Sequence, residues 1–144
     1  MFSSIFKKDI DLNDLNKFAQ NSMMDHLGIE FIEVGADYLV ARMPVDHRTV
    51  QPFGMLNGGA SAALAENVGS MAANLCVDPT KNLCVGLDIN ANHLKGVGQG
   101  FVYGKAKPLH LGKNTQVWEI KIRDEDQNLV CVSRLTMAVI ERRK

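Results

Sequence analysis

The spacing of apolar and polar positions changes period along this chain, and each change predicts an element. Leu12, Leu15, Phe18 and Leu27 recur near helical spacing, with Asp and Asn at the start and Gly28 past the end as cap chemistry. One short amphipathic helix over 11–27 is therefore predicted. Residues 29–44 read as two short strands about a turn at Gly35-Ala36-Asp37, followed by the loop HRTVQPFG with Pro52 and Gly54 as punctuation. From Asn57 to Cys76 the chain reads NGGASAALAENVGSMAANLC, alanine-rich and free of proline, which predicts a long helix that is apolar nearly all round. Beyond it the period becomes two. Val85, Leu87, Ile89 and Ala91 alternate with Asp88, Asn90 and Asn92; Phe101 to Leu109 is a second strand; Trp118, Ile120 and Ile122 oppose Glu119, Lys121 and Arg123. Asp124 to Asn128 makes a polar hairpin connection. LVCVSRLTMAVI then runs almost wholly apolar, as a strand covered on both faces would. Adjacent strands after one buried helix predict an α+β fold, an antiparallel sheet wrapped around that long central helix.

Within the helical run Glu66 is the only charged residue. A carboxylate inside a protein is rare unless paired or useful, and burial raises its pKa toward that of a general base. The plainer reading puts it on a wet stripe with Asn67, Ser70 and Asn74, because Ser70 and Asn74 lie four and eight residues on. Gly58-Gly59 at the helix start leaves backbone N–H groups free at the positive end of the dipole, a place for a developing oxyanion. Gly58 and Glu66 are roughly 12 Å apart along one helix axis, so a single helix cannot present both to one carbonyl. If they cooperate, two subunits must supply them.

Composition narrows the classes. The 144 residues suit one domain, expected to span 1–144, and 16 basic residues balance 16 acidic ones. That balance, with no basic run, argues against nucleic acid as the main partner. Cys76, Cys84 and Cys131 have no paired spacing and the four histidines complete no zinc pattern, so reduced structural thiols and no metal are expected. The N-terminus carries charge by Lys7 and has no long apolar core, and no apolar run reaches the length of a membrane span. The expected location is cytoplasmic.

The segments MPVDHRTVQPFGMLNGGASAALAENVGS, VGLDINANHLK and KPLHLGKNTQVWEI together resemble the hotdog-fold acyl-CoA thioesterases. The branch is that of the 1,4-dihydroxy-2-naphthoyl-CoA hydrolases and the aryl-carrier proofreading thioesterases, and the similarity covers residues 12–140. The resemblance implies a hotdog fold paired through side-by-side sheets into a homodimer, usually a homotetramer. It implies thioester hydrolysis without a metal or redox cofactor, on acyl-CoA or a thioester of an acyl carrier protein. By position it implies Glu66 as the carboxylate that attacks the carbonyl or activates water. Gly58 is implied as the oxyanion donor from the neighbouring subunit, Gln51 as a loop glutamine beside the reacting centre, and Ser70 as a positioning hydroxyl. Gly86, His93, Leu94 and Lys95 would line the pantetheine entrance, and His110, Lys113, Asn114 and Thr115 would reach nucleotide phosphates.

One departure stands out: where the family usually has His-Gly-Gly, this chain has Asn57-Gly58-Gly59. Asn donates a hydrogen bond but cannot become a cation, so the implied chemistry survives at a lower rate. Two other readings compete with thioester hydrolysis. A hotdog dehydratase would use a histidine of the preceding loop, for which His47 is available. A non-catalytic acyl-CoA binder would account for the missing histidine but not for Glu66, Gln51 and Gly58.

Overall fold

The structure, a computed structural model, describes residues 3–143. The expected span of 1–144 also includes Met1, Phe2 and Lys144, which lie outside the described residues. Six antiparallel strands form one sheet in the order β1-β2-β4-β5-β6-β3. They are β1 (Glu30–Val34), β2 (Leu39–Pro44), β3 (Asn82–His93), β4 (Phe101–Leu111), β5 (Thr115–Arg123) and β6 (Leu129–Glu141). The helix α3 (Gly58–Leu75) packs against β2 to β6, as the alanine-rich run predicts.

Small residues set the distance between helix and sheet. A Cβ on Gly69 would lie 2.6 Å from Leu135 Cδ2, and one on Gly104 would lie 3.2 Å from Leu64 Cγ. Leu64, Val68, Ala72, Trp118, Ile120, Leu135 and Met137 are fully buried between the two layers. Burying such side chains is worth about 1.5–3 kcal/mol each for the larger aliphatic ones. The Trp118 indole N–H donates to Gln116 Oε1 at 2.8 Å, so this buried polar atom is satisfied. Cys84 and Cys131 are buried and Cys76 is half-buried, all as free thiols, and burial pushes the Cys76 thiol up to about 12.

Two expectations are corrected. The single helix over 11–27 is instead two, α1 (Leu12–Phe18) and α2 (Met23–His26). Asn21 between them adopts φ +62°, a left-handed conformation that ends a helix, and Ser22 starts the next one. The apolar strand β6 lies inside the sheet but is covered on one face only. Cys131, Ser133, Leu135 and Met137 point to α3, whereas Arg134 is exposed on the other side.

Candidate functional site

The start of α3 is built by the loop before it. Thr49 is buried, and its hydroxyl donates to the Pro44 carbonyl at 2.6 Å. The Thr49 carbonyl accepts the Asn57 N–H at 2.8 Å, which fixes where the helix begins. Arg48 clasps Asp46 at 2.7 Å, and this hydrogen bond holds the Asp46 carboxyl down to about 2. Residues 51–54 close a turn, with the Gly54 N–H on the Gln51 carbonyl and Gly54 at φ +89°. Gln51 Oε1 accepts the Phe53 N–H inside that turn, which leaves its amide NH₂ for other partners.

Asn57 is the N-cap. Its Oδ1 accepts the Gly59 N–H at 2.7 Å, and its carbonyl accepts from Ala60 and Ser61. Gly58 N–H is thereby the free donor of the first turn among the described residues. His93 lies against it: a Cβ on Gly58 would sit 2.9 Å from His93 Nε2. Gln51, Met55, Gly58, Ser61, His93 and Lys95 line an open cleft of about 500 Å³, with Leu94 at its lip. Five of the residues singled out in the sequence thus converge here.

Glu66 is elsewhere. It is exposed in the single chain, which within one protomer fits the wet-stripe reading and not the buried one. The stripe carrying it runs along β3, an edge strand with no further strand beyond it among the described residues. Glu66 Oε1 lies 2.7 Å from where a Cβ on Gly86 would stand, so glycine at 86 makes room for the carboxylate. Ser70, one turn on, brings its hydroxyl to 3.7 Å from Met137 Sδ. Asn74 clamps both backbone groups of Cys84, at 2.9 and 3.1 Å, and ties this end of the helix to the strand. The site residues therefore form two halves along β3: Gly58 with His93 at one end, Glu66 with Gly86 toward the other.

Lys95 and Lys113 are not brought together. Lys95 follows β3, whose last residue His93 is in register with Cys131, itself opposite Ile122. Thr115 is in register with Ala138 and Val85, and His110, Lys113 and Asn114 precede it, all exposed. Seven residues of β6 separate these positions, roughly 23 Å at strand rise. Lys95 is also engaged, its Nζ 2.6 Å from Asp124 Oδ2. That contact, followed by hydrogen bonds from Asn128 and Asp126, holds the Asp124 carboxyl well below the usual carboxylate range. Asp124 and Thr49 were invisible as site supports in the sequence. The only available signal for Asp124 was its place at the start of a D-x-D-x-N hairpin, where such side chains bind their own turn.

His47 stands outside both halves, with an 88% exposed side chain beside Asp46. No helix among the described residues is long and apolar enough to cross a membrane.

The thioesterase superfamily model matches residues 53–131. The 1,4-dihydroxy-2-naphthoyl-CoA hydrolase of Escherichia coli is 50% identical over 94% of this chain and 99% of its own length. A proofreading thioesterase EntH of Cronobacter turicensis is 49% identical over 94% of this chain and 98% of its own. Among solved structures, a thioesterase from Haemophilus influenzae superposes with a TM-score of 0.93 at 53% identity, covering 95% of each chain.

Proposed function

This chain belongs to the thioesterase superfamily, with its hotdog fold, and is a thioester hydrolase; from that premise we propose that it hydrolyses aromatic acyl-CoA thioesters at sites shared between two chains. The carrying observation is the division of the candidate machinery between the two ends of the open β3 edge. Antiparallel pairing of two β3 strands about a two-fold axis near Ile89 and Asn90 would set Gly86 of one chain opposite His93 of the other. That arrangement places the Glu66 carboxylate of one chain near the Gly58 N–H of its partner. It also brings Lys113 of one chain toward Lys95 of the other, at the expected mouth for the CoA moiety.

In such a site the Gly58 N–H, at the positive end of α3, receives the thioester oxygen as it gains charge. Glu66 then attacks the carbonyl carbon, or takes a proton from the water that does. The carbon–sulfur bond breaks, the thiol departs, and water supplies the hydroxyl of the released acid. Ser70 lies one helical turn from Glu66, in reach of that water or carboxylate.

An aromatic acyl group, with 1,4-dihydroxy-2-naphthoyl-CoA as the leading candidate, is supported by the name of one of several differently named relatives, the Escherichia coli hydrolase. The dehydratase reading loses its histidine, because His47 faces solvent beside Asp46. A panel of acyl-CoA esters with free-thiol detection tests the proposal. Aromatic esters should turn over fastest, and hydrolysis confined to short aliphatic esters would overturn it. Binding without thiol release would leave the non-catalytic reading standing instead.

A further inference from the structure

One polar side chain of the Gly58–His93 cleft has no part in the chemistry above. Ser61 lies one turn into α3, and its sequence neighbours from Ala60 to Ala65 are alanine and leucine. It is 2% exposed and lines the cleft with Gly58, Gln51 and His93. A helical serine commonly returns its hydroxyl to the carbonyl four residues back, as the Asn67 amide here does to Ala63 at 2.7 Å. For Ser61 that carbonyl belongs to Asn57, which already accepts the N–H groups of Ala60 and Ser61. The Ser61 hydroxyl makes no hydrogen bond among the described residues, and the cleft is the open space it borders.

Folding gives no reason for a hydroxyl at this position. Alanine has the higher helix propensity, and a buried hydroxyl left without a partner costs stability. Ser133 is a second such hydroxyl, 1% exposed and with no partner for its Oγ. It faces α3 from β6 and does not line the cleft. Of the two, only Ser61 borders a space open to a ligand.

Ser61 is three residues past Gly58, so the two share a helix face, roughly 4.5 Å apart along the axis. Side chains on a helix lean toward its N-terminus, which carries the Ser61 hydroxyl back toward the Gly58 N–H. Gly58 and Gly59 have no side chains to stand in the way. The other N–H groups of this turn are taken, that of Gly59 by Asn57 Oδ1 and those of Ala60 and Ser61 by the Asn57 carbonyl. A carbonyl oxygen has two lone pairs, and one that gains charge takes more than a single donor.

We propose that Ser61 is a catalytic residue, its hydroxyl the second donor, beside the Gly58 N–H, to the thioester oxygen. The proposal rests on the thioester hydrolase reading and adds a group to its site. As the nucleophile adds to the carbonyl carbon, the π electron pair moves onto the oxygen, where both donors hold it. The pair returns when the carbon–sulfur bond breaks. The thiolate leaves with the bonding electrons and takes up the proton that the water gives up, and Ser61 keeps its own.

The test uses benzoyl-CoA with S61A, S61T and S133A. S61A should lower kcat by about 10² with KM changed less, while its stability in denaturant is unchanged or higher. S61T restores a hydroxyl and should recover part of the rate, and S133A should keep the unaltered kcat. Benzoyl-CoA labelled with ¹³C at the carbonyl gives a readout that needs no turnover. Bound to the Glu66→Ala enzyme, its infrared carbonyl band should lie lower in frequency than when bound to the Glu66→Ala, Ser61→Ala enzyme, which lacks one hydrogen bond. A kcat for S61A within about twofold of the unaltered enzyme, an equal loss in S133A, or a carbonyl band that S61A does not move would each overturn the proposal. An acyl group found on Ser61 by mass spectrometry would do the same, because a donor is not acylated. An unaltered enzyme that shows the Ser61-dependent band shift but releases no thiol would sink the hydrolase reading and leave the hydrogen bond standing.

Discussion

At one edge of the sheet, α1 lies along the five-residue strand β1, and the Asn16 side chain meets its backbone. Asn16 Oδ1 accepts the Phe31 N–H at 2.8 Å and Nδ2 donates to the Phe31 carbonyl at 3.0 Å, as a neighbouring strand would. Glu30 and Glu33 add exposed charge there, and the register slips between Phe31 and Glu33. Short length, charge and a bulge are the devices that keep a strand edge from recruiting another chain. At the other edge β3 runs for twelve residues with a single carboxylate, Asp88, and leaves Val85 37% and Leu87 61% exposed. Among the described residues no further strand pairs with it. One edge is closed by its own sequence and the other is left open to pair, and the two halves of the candidate site lie along the open one.

The largest effect should come from separating those halves. Glu66→Ala should lower turnover by about 10²–10⁴ with little change in folding. Gly58→Pro deletes the N–H at a first-turn position where proline suits the helix, and should cost about 10²–10³ relative to Gly58→Ala, which keeps the donor. Mixing Glu66→Ala chains with Gly58→Pro chains should recover activity, because half the sites of a mixed pair are intact. No recovery after verified subunit exchange would place the whole site in one chain.

Next comes the open edge itself. Leu87→Lys adds the charge that protects edges elsewhere, and should shift the protein toward monomer in sedimentation, with activity falling in step. A fully active monomer would remove the reason for pairing.

Asn57 should have a smaller effect. Asn57→His should raise kcat on an aromatic acyl-CoA with KM changing less, and Asn57→Ala should lower it by less than the about 10²–10³ of a full oxyanion donor. The alanine variant should also lose about 0.5–2 kcal/mol of stability, because Oδ1 caps Gly59. If the alanine variant matches the unaltered rate and histidine gains nothing, Asn57 serves the helix alone.

The closed edge should give the smallest change in rate. Asn16→Ala leaves the Phe31 backbone groups unpaired and should cost about 1–3 kcal/mol in denaturant unfolding, with kcat unchanged. A large loss of activity at full folding would mean the closed edge also serves the site.

Much of this architecture was legible in the order of residues because it depends on near neighbours. The alanine-rich run without proline makes α3, alternation makes β3 and β5, and the Asp124–Asn128 turn joins β5 to β6. Glu66 as a lone carboxylate and Gly58 as a free helix-start donor were visible for the same reason, and the helical rise alone kept them apart. The split at Asn21 is not written in the apolar spacing, which continues across it, because a single backbone conformation breaks the helix.

Only the tertiary structure decided what depends on residues far apart in sequence. Asn16 meets Phe31 and Lys95 meets Asp124, contacts that no local period encodes. Sheet order made β3 the outer strand, which left Glu66 exposed within one protomer and set Lys95 and Lys113 at opposite ends of the sheet. Local pattern selects an element through forces acting within a few residues. Which edge stays open is settled by long-range pairing, where each strand's place depends on all the others.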